Sequence, residues 1–256
     1  MKKLHIETLG DGPDLVLLHG WGMHGGVWQG MAEALSRRFR VHLVDLPGYG
    51  GSAASTPYTL EPLARAVAAA LPEKAHVCGW SLGGMVALTL ARRFPQRVRR
   101  LVLTAGTPCF TTREGWAPAV APAVFRDFAR SLEGDYEGTL KRFLSLQARG
   151  GDDARGVIKR LREALFARGR PAAEVLRAGL DILLEADLRA EAGTVAQPVL
   201  LVHGDRDTLA PVGAAYWLAD SLPEARLAVI AGAAHAPFLS HPQSFAEVVT
   251  GFLCEQ

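Results

Sequence analysis

The chain is short of cysteine. Cys78, Cys109 and Cys254 are three in 256 residues, widely spaced and odd in number, which excludes a disulfide framework and points to a reducing compartment, with the cytoplasm as the default. No apolar run reaches membrane-spanning length, so no membrane partner is expected. The start, Met1-Lys2-Lys3-Leu4-His5-Ile6-Glu7, has two lysines with no apolar core behind them and predicts no signal peptide. A formal net charge of +2 gives no overall excess that would call for nucleic acid. No Cys/His spacing suggests a zinc site. Gly48-Tyr49-Gly50-Gly51 is not followed by the Gly-Lys-Ser/Thr of a phosphate loop. Neither metal nor cofactor is therefore expected. There is no internal repeat and no low-complexity tract.

What is present describes an ordinary globular protein, with 49% hydrophobic and 21% charged residues. A length of 256 residues suits one domain with an insertion, expected to be a monomer. Leu15–Leu18, Val41–Val44, Ala75–Cys78 and Leu101–Leu103 are short apolar runs of the buried-strand type. Leu4 to Thr8 alternates and suits an edge strand. Helical patterns near 27–37, 59–70 and 83–93 separate these strands. The order predicts an α/β fold with a doubly wound, mostly parallel sheet. From about 111 to 187 no strand pattern is convincing, and four amphipathic helices are expected at 120–132, 138–148, 153–167 and 172–185. The strand theme resumes at 198–202 and 226–230, with helices near 211–220 and 242–253. The expected organisation is a core of 1–110 and 188–256 interrupted by a helical lid, 111–187.

Gly79-Trp80-Ser81-Leu82-Gly83 stands between a predicted strand and a predicted helix. In that context Gly-x-Ser-x-Gly is a nucleophile elbow. A strand reversing straight into a helix crowds the neighbouring backbone, so residues without a Cβ are needed beside the serine. A serine hydroxyl needs a base, and the base works best when a carboxylate holds its tautomer. On a sheet of this type the chain order is serine, acid, histidine. The run Val199–Val202 leads into His203-Gly204-Asp205-Arg206-Asp207-Thr208-Leu209-Ala210-Pro211, where two acids compete. Asp207 is preferred because Gly-x-x-Asp lets the turn swing the carboxylate back towards the sheet; Asp205 is the alternative. His235, in the loop after the last strand, is the expected base, and His241, beside Pro242, is a cap or surface residue. The oxyanion needs two converging backbone donors, for which Leu82 N–H and Trp21 N–H, in His19-Gly20-Trp21-Gly22, are the candidates.

These motifs identify a resemblance to the α/β-hydrolases over nearly the whole chain. Within them Leu17–Gly22, Val44–Gly48, Gly79–Gly84, Pro108–Phe110, Arg142–Gln147 and Ala233–Phe238 resemble the pimeloyl-[acyl-carrier protein] methyl ester esterases of biotin synthesis. The resemblance implies a Ser81–Asp207–His235 triad and hydrolysis of a methyl ester at the far end of a pimeloyl chain held on acyl carrier protein. It also implies that basic residues of the lid meet the carrier. Arg142 and Arg155 match such positions, Lys159 does so with Lys for Arg, and Gly138 stands where the family can carry another Arg.

The charge pattern points the same way. Residues 141–170 hold nine Lys/Arg against three acids, a net +6, while the rest of the chain carries −4. Arg155, Lys159 and Arg162 fall on one helix face, which suits an acidic partner or, more plainly, a solvated surface. Trp21, Trp80, Leu82, Phe110, Phe143 and Phe238 flank the catalytic loops or the lid and are the candidates for an apolar pocket. A general short-chain carboxylesterase or thioesterase with the same triad, and a catalytically silent hydrolase fold used for binding, are the competing expectations.

Overall fold

The computed structural model describes residues 3–255. Met1, Lys2 and Gln256, which belong to the expected leaderless start and to the ends of the expected core, lie outside the described residues. The strands are β1 (Ile6–Leu9), β2 (Asp14–Leu18), β3 (Arg40–Val44), β4 (Ala75–Trp80), β5 (Val98–Thr104), β6 (Val199–Gly204) and β7 (Ala225–Ile230). The core helices are α1 (Gln29–Leu35), α2 (Leu60–Ala70) and α3 (Leu82–Arg93). Between β5 and β6 follow α4 (Pro122–Gly134), α5 (Tyr136–Ala148), α6 (Ala154–Leu165), α7 (Ala173–Glu185) and the short α8 (Arg189–Ala192). The chain closes with α9 (Val212–Ser221), the short α10 (Pro237–Ser240) and α11 (Pro242–Leu253). Among the described residues no helix is long and apolar enough to cross a membrane.

The seven strands run in the order β1-β3-β2-β4-β5-β6-β7, and only β1 is antiparallel to its neighbour. β2, β4 and β6 are apolar runs because both of their faces are covered. Right-handed crossovers put α1, on the leftward step from β2 to β3, on one face and α2 and α3, on rightward steps, on the other. α11 returns to pack beside α1. The strand order reverses between β2 and β4, which pair in register from Leu15–His76 to Leu18–Gly79. A crevice outside the carboxyl ends of strands at such a reversal is where ligands bind in open α/β sheets. Both the His19–Gly22 loop and Ser81 emerge there.

The insertion is helical, as its periodicity predicts, with boundaries shifted by local chemistry. α4 begins at Pro122 rather than Val120, because proline suits the first turn. Val120 instead bridges to Thr111. Asp135 caps α5 and Asp153 caps α6, each side chain accepting an N–H three residues on, at 2.9 Å from Gly138 and 3.1 Å from Gly156. Such a cap is worth about 1 kcal/mol. α6 buries Val157, Leu161 and Leu165 along one face and rests on α10 and on the Gly25–Trp28 turn that follows β2. The helical segment thus sits over the carboxyl-edge loops.

Two core histidines give the fold a pH signature. Burial pushes His19, just after β2, and His76, in β4, from the ordinary 6.5 down to about 4, with Arg99 and Arg100 adding to the effect at His76. The unfolded chain therefore binds more protons between those values. Their contribution to stability is complete above pH 6.5 and is lost as the pH falls towards 4. Melting temperature should hold steady near neutrality and drop across that window, and His76→Leu should make the drop shallower. An unchanged slope in His76→Leu would remove His76 from the account and leave the acid loss to the other buried groups.

Candidate active site

β4 runs directly into α3 through Ser81, whose backbone sits at φ 56°, ψ −119°. A non-glycine residue held there stores of order 1–3 kcal/mol of strain. The surroundings enforce it. A Cβ on Gly79 would lie 2.2 Å from the Gly83 carbonyl oxygen, and one on Gly83 would lie 2.5 Å from that of His19. Only glycine permits strand, helix and the β2 loop to cross this closely. Ser81 N–H donates to the Thr104 carbonyl at 3.1 Å, and the Ser81 carbonyl accepts from Gly84 and Met85. Leu82 N–H, at the helix start, and Trp21 N–H donate to no acceptor among the described residues. A Cβ on Gly20 would fall 3.2 Å from Ser81 Cβ, so the Trp21 loop passes directly beside the serine.

The loops after β6 and β7 meet each other through Asp207 and His235, and Trp80 Nε1, beside Ser81, reaches the second of them. Asp207 is buried after β6, and its Oδ1 accepts from Leu209 N–H and Ala210 N–H, both at 2.9 Å. Its Oδ2 lies 2.7 Å from His235 Nδ1. Burial works against the charged carboxylate, but His235, His203 and the Ala210 N–H outweigh it and hold the carboxyl below its usual range. Asp205 is exposed, and its Oδ1 accepts from Gly232 N–H at 2.7 Å, so it shapes the turn rather than meeting the histidine. His235 is fully buried. Its N–H donates to the Gln147 carbonyl at 3.1 Å and its carbonyl accepts from Trp80 Nε1 at 2.7 Å. Nε2 has no hydrogen-bond partner among the described residues. With Nδ1 tied to a carboxylate, that nitrogen is the one left to accept a proton. His241 is half-buried at the start of α11 and bonds Ser240 Oγ at 2.8 Å.

The six expected pocket residues are all buried but divide by position. Trp21 stacks edge-on against Phe143 of α5, with ring centroids 4.6 Å apart. Phe110 lies 6.4 Å from the His235 ring, and Trp80 lies 5.9 Å from it. Leu82 follows the serine. Phe238 packs among Trp28, at 3.9 Å between centroids, Trp80 and Phe245, in a stack beneath the catalytic loops. Of the basic candidates, Arg142 is engaged with Asp135 at 2.9 Å and Thr139 at 2.8 Å, and Lys159 stands 3.9 Å from Glu163. Arg149, Arg155 and Arg162 are exposed and make no ion pair among the described residues.

Several positioning residues carry no sequence motif that names their role. Neutral His203 donates Nε2–H to the Ala210 carbonyl at 2.5 Å and so closes the Asp207 loop. His19 Nε2 accepts from Leu46 N–H at 3.0 Å and joins the β2 loop to the end of β3. Asp45, fully buried, accepts from Gly25 and Gly51 N–H and from Arg168, which reaches in from beyond α6.

A family model described as alpha/beta hydrolase fold matches residues 13–242. The chain belongs to the alpha/beta hydrolase family. It is 49% identical over 245 residues to the pimeloyl-[acyl-carrier protein] methyl ester esterase of Nitrosomonas europaea, covering 96% of this chain and 97% of that one. It is 48% identical over 250 residues to the protein of the same name from Aeromonas hydrophila, covering 97% and 98%. Among solved structures, a hydrolase from Pseudomonas aeruginosa superposes with a TM-score of 0.82 at 29% identity, covering 98% of this chain and 94% of that one. A bromoperoxidase from Bacillus anthracis reaches a TM-score of 0.90 at 21% identity, covering 98% and 95%, a likeness of fold alone.

Within this hydrolase family the two acids of the β6 loop make opposite forecasts. Asp207→Asn should lower kcat/KM on a p-nitrophenyl ester by about 10⁴, because the amide favours the wrong His235 tautomer. Asp205→Asn should cost less than about tenfold, since it only loosens a turn. A larger loss at Asp205 would mean that the loop is wound differently.

Proposed function

We propose that this protein is a serine carboxylesterase that hydrolyses the methyl ester of pimeloyl-[acyl-carrier protein], releasing methanol and the free acid for biotin synthesis. The His235 ring carries the chemical half of this reading: Nδ1 is bound to a buried carboxylate at 2.7 Å, Nε2 has no partner among the described residues, and the His235 carbonyl is tied to Trp80, the neighbour of the elbow serine. The substrate half is supported by relatives of that name at 43–49% identity over nearly their whole length.

In this reading Ser81 Oγ attacks the ester carbonyl carbon while its proton passes to His235 Nε2. Asp207 stabilises the imidazolium. The negative oxygen of the tetrahedral intermediate faces Leu82 N–H and Trp21 N–H. Collapse breaks the bond to the methoxy group, which leaves as methanol with the proton from His235. Water then attacks the acyl-enzyme, giving its proton to Nε2, and a second collapse returns the proton to Ser81 and frees the carboxylate. Trp21, Trp80, Leu82, Phe110, Phe143 and Phe238 supply apolar walls for a chain whose every buried methylene is worth about 0.8 kcal/mol. Residues 111–187 act as a lid over this site, and the three free thiols suit a reducing compartment such as the cytoplasm.

The acidic carrier docks on the basic face of the lid. Asp135 and Glu137 neutralise Arg142, Lys141 and Arg170, so the attraction falls mainly on Arg155, Lys159 and Arg162 of α6. Gly138, where relatives can carry Arg, lies against the capping carboxylate: a Cβ there would meet Asp135 Oδ2 at 2.0 Å.

Two experiments test the reading. Ser81→Ala should retain the fold and lose about 10³-fold or more of its ester turnover, leaving what binding and the oxyanion donors supply. Near-normal turnover would end the serine mechanism. Charge reversal of Arg155 and Lys159, with or without Arg142, should raise KM for the carrier-linked ester about tenfold or more and leave a p-nitrophenyl ester nearly unchanged. Added salt should imitate it, since exposed charges are screened over about 8 Å at physiological ionic strength. Equal losses on both substrates would make the lid purely structural, and no loss on either would remove the carrier face. The same acyl chain assayed as a free methyl ester separates a general esterase from a carrier-linked one.

A further inference from the structure

Trp21 belongs to the core by its backbone and to the helical insertion by its side chain. Its N–H lies at the corner of a tight turn in which Met23 N–H reaches the Gly20 carbonyl at 3.3 Å and Gly22 takes φ +76°. Its ring is held by two insertion helices. Nε1–H donates to the Leu176 carbonyl of α7 at 2.8 Å, and the ring meets Phe143 of α5 edge-on. The fit against α7 depends on Gly179. A Cβ at that position would stand 2.7 Å from Trp21 Cδ1, 3.0 Å from Nε1 and 3.1 Å from Tyr49 Oη. The first of these is shorter than non-bonded carbons allow, and the buried indole is held by the Leu176 carbonyl on α7 and by Phe143 on α5.

We propose that Gly179 and the Leu176 carbonyl of α7 are positioning groups for the oxyanion site: they fix the Trp21 indole, and through it the angle at which Trp21 N–H meets the developing negative charge. The insertion therefore does more than cover the site. Seating of α7 completes one of the two donors, so substrates are turned over only when the helical segment is docked. The inference rests on the reading of Trp21 N–H as an oxyanion donor and adds to it the element that sets its aim. A donor in this role acts on the transition state, so misaiming it lowers kcat and weakens tetrahedral analogues while ground-state binding is spared.

The test uses the whole protein with p-nitrophenyl acetate, a substrate too short to depend on the acyl pocket, and with phenylboronic acid as the tetrahedral probe. Gly179→Ala, which crowds the indole, and Trp21→Phe, which keeps the backbone donor and a ring but removes Nε1–H, should each lower kcat about 10- to 100-fold. KM should stay within about threefold, and boronate inhibition should weaken in step with kcat. Against a Trp21→Ala background the Gly179→Ala change should cost much less in kcat than it does alone, because the clash with the indole is gone and only the 3.1 Å approach to Tyr49 Oη remains. Should Gly179→Ala fail to fold, Trp21→Phe carries the test alone. Folded variants with kcat and boronate affinity within twofold of the parent would overturn the proposal, as would full additivity with Trp21→Ala. A failure of the serine reading itself shows separately, as turnover surviving in Ser81→Ala.

Discussion

The carboxyl edge of the sheet is organised by a backbone crossing that leaves no room for a Cβ. Gly79 meets Gly83, and Gly83 meets the carbonyls of Leu18 and His19, so the end of β4, the start of α3 and the loop after β2 occupy one small volume. Ser81 is forced into its strained angles by the same crossing, and its side chain is lifted off the sheet as a result. The strain is tolerated because it is bonded on every side: Ser81 N–H to Thr104, its carbonyl to Gly84 and Met85. Loosening this crossing would move Ser81, Leu82 N–H and the backbone of the His19–Gly22 loop together, since all three meet at it.

Two buried carboxylates hold the rest of that edge, and they solve the same electrostatic problem. A buried charge is costly unless hydrogen bonds replace its water. Asp207 takes two backbone N–H groups on one oxygen and leaves the other for His235. Asp45 takes Gly25 and Gly51 N–H and adds His5 and Arg168. Burial opposes ionisation of Asp45, but these amides, His19 and Arg168 keep its carboxyl below the usual range. Asp207 thereby orients a histidine, whereas Asp45 ties the loop after β2 to the segment between α6 and α7. One serves the reacting atoms directly and the other fixes the frame in which they sit.

The sequence discloses those parts of this arrangement that are local. Apolar runs mark β2, β4 and β6 because two-sided burial removes alternation, and β1, at the edge, carries polar residues and no fully buried one. The elbow is legible because a steric demand on two positions leaves glycines at a fixed spacing. Asp207 is separable from Asp205 by turn geometry alone. Most of what stays hidden depends on partners far away in the chain. Nothing near Arg168 announces Asp45, and nothing near Gln147 announces that its carbonyl takes the His235 N–H. Phe238 sits in a motif three residues after His235, yet its ring goes into a stack with Trp28, whose own neighbourhood carries no signal. Arg142 reads as a free cation until Asp135, seven residues earlier and committed to capping α5, is seen to hold it.

These long-range ties have a direction. The helical insertion reaches each of the three loops that would do chemistry. α5 holds the base loop through the Gln147 carbonyl, and Asp152, between α5 and α6, donates its N–H to Gly232 and pairs with Arg206 beside the acid. α7 holds the Trp21 loop, and Arg168 holds the stretch behind it. A cover that merely excluded water would need apolar contact and little else. Hydrogen bonds to specific backbone groups in three loops instead couple its position to theirs, because each bond is lost if the helices shift by more than an ångström or so. Segments that open in such folds come from the least stable part of the structure, and helices built from four short amphipathic pieces suit that role. An insertion of this kind, whose basic outer face is where we place the carrier, would sense its partner on one side and hold base, acid and oxyanion loops on the other. The exposed basic charge and the bonds to these three loops therefore lie on the same few helices, with buried side chains such as Phe143, Val157 and Leu161 on their inner faces.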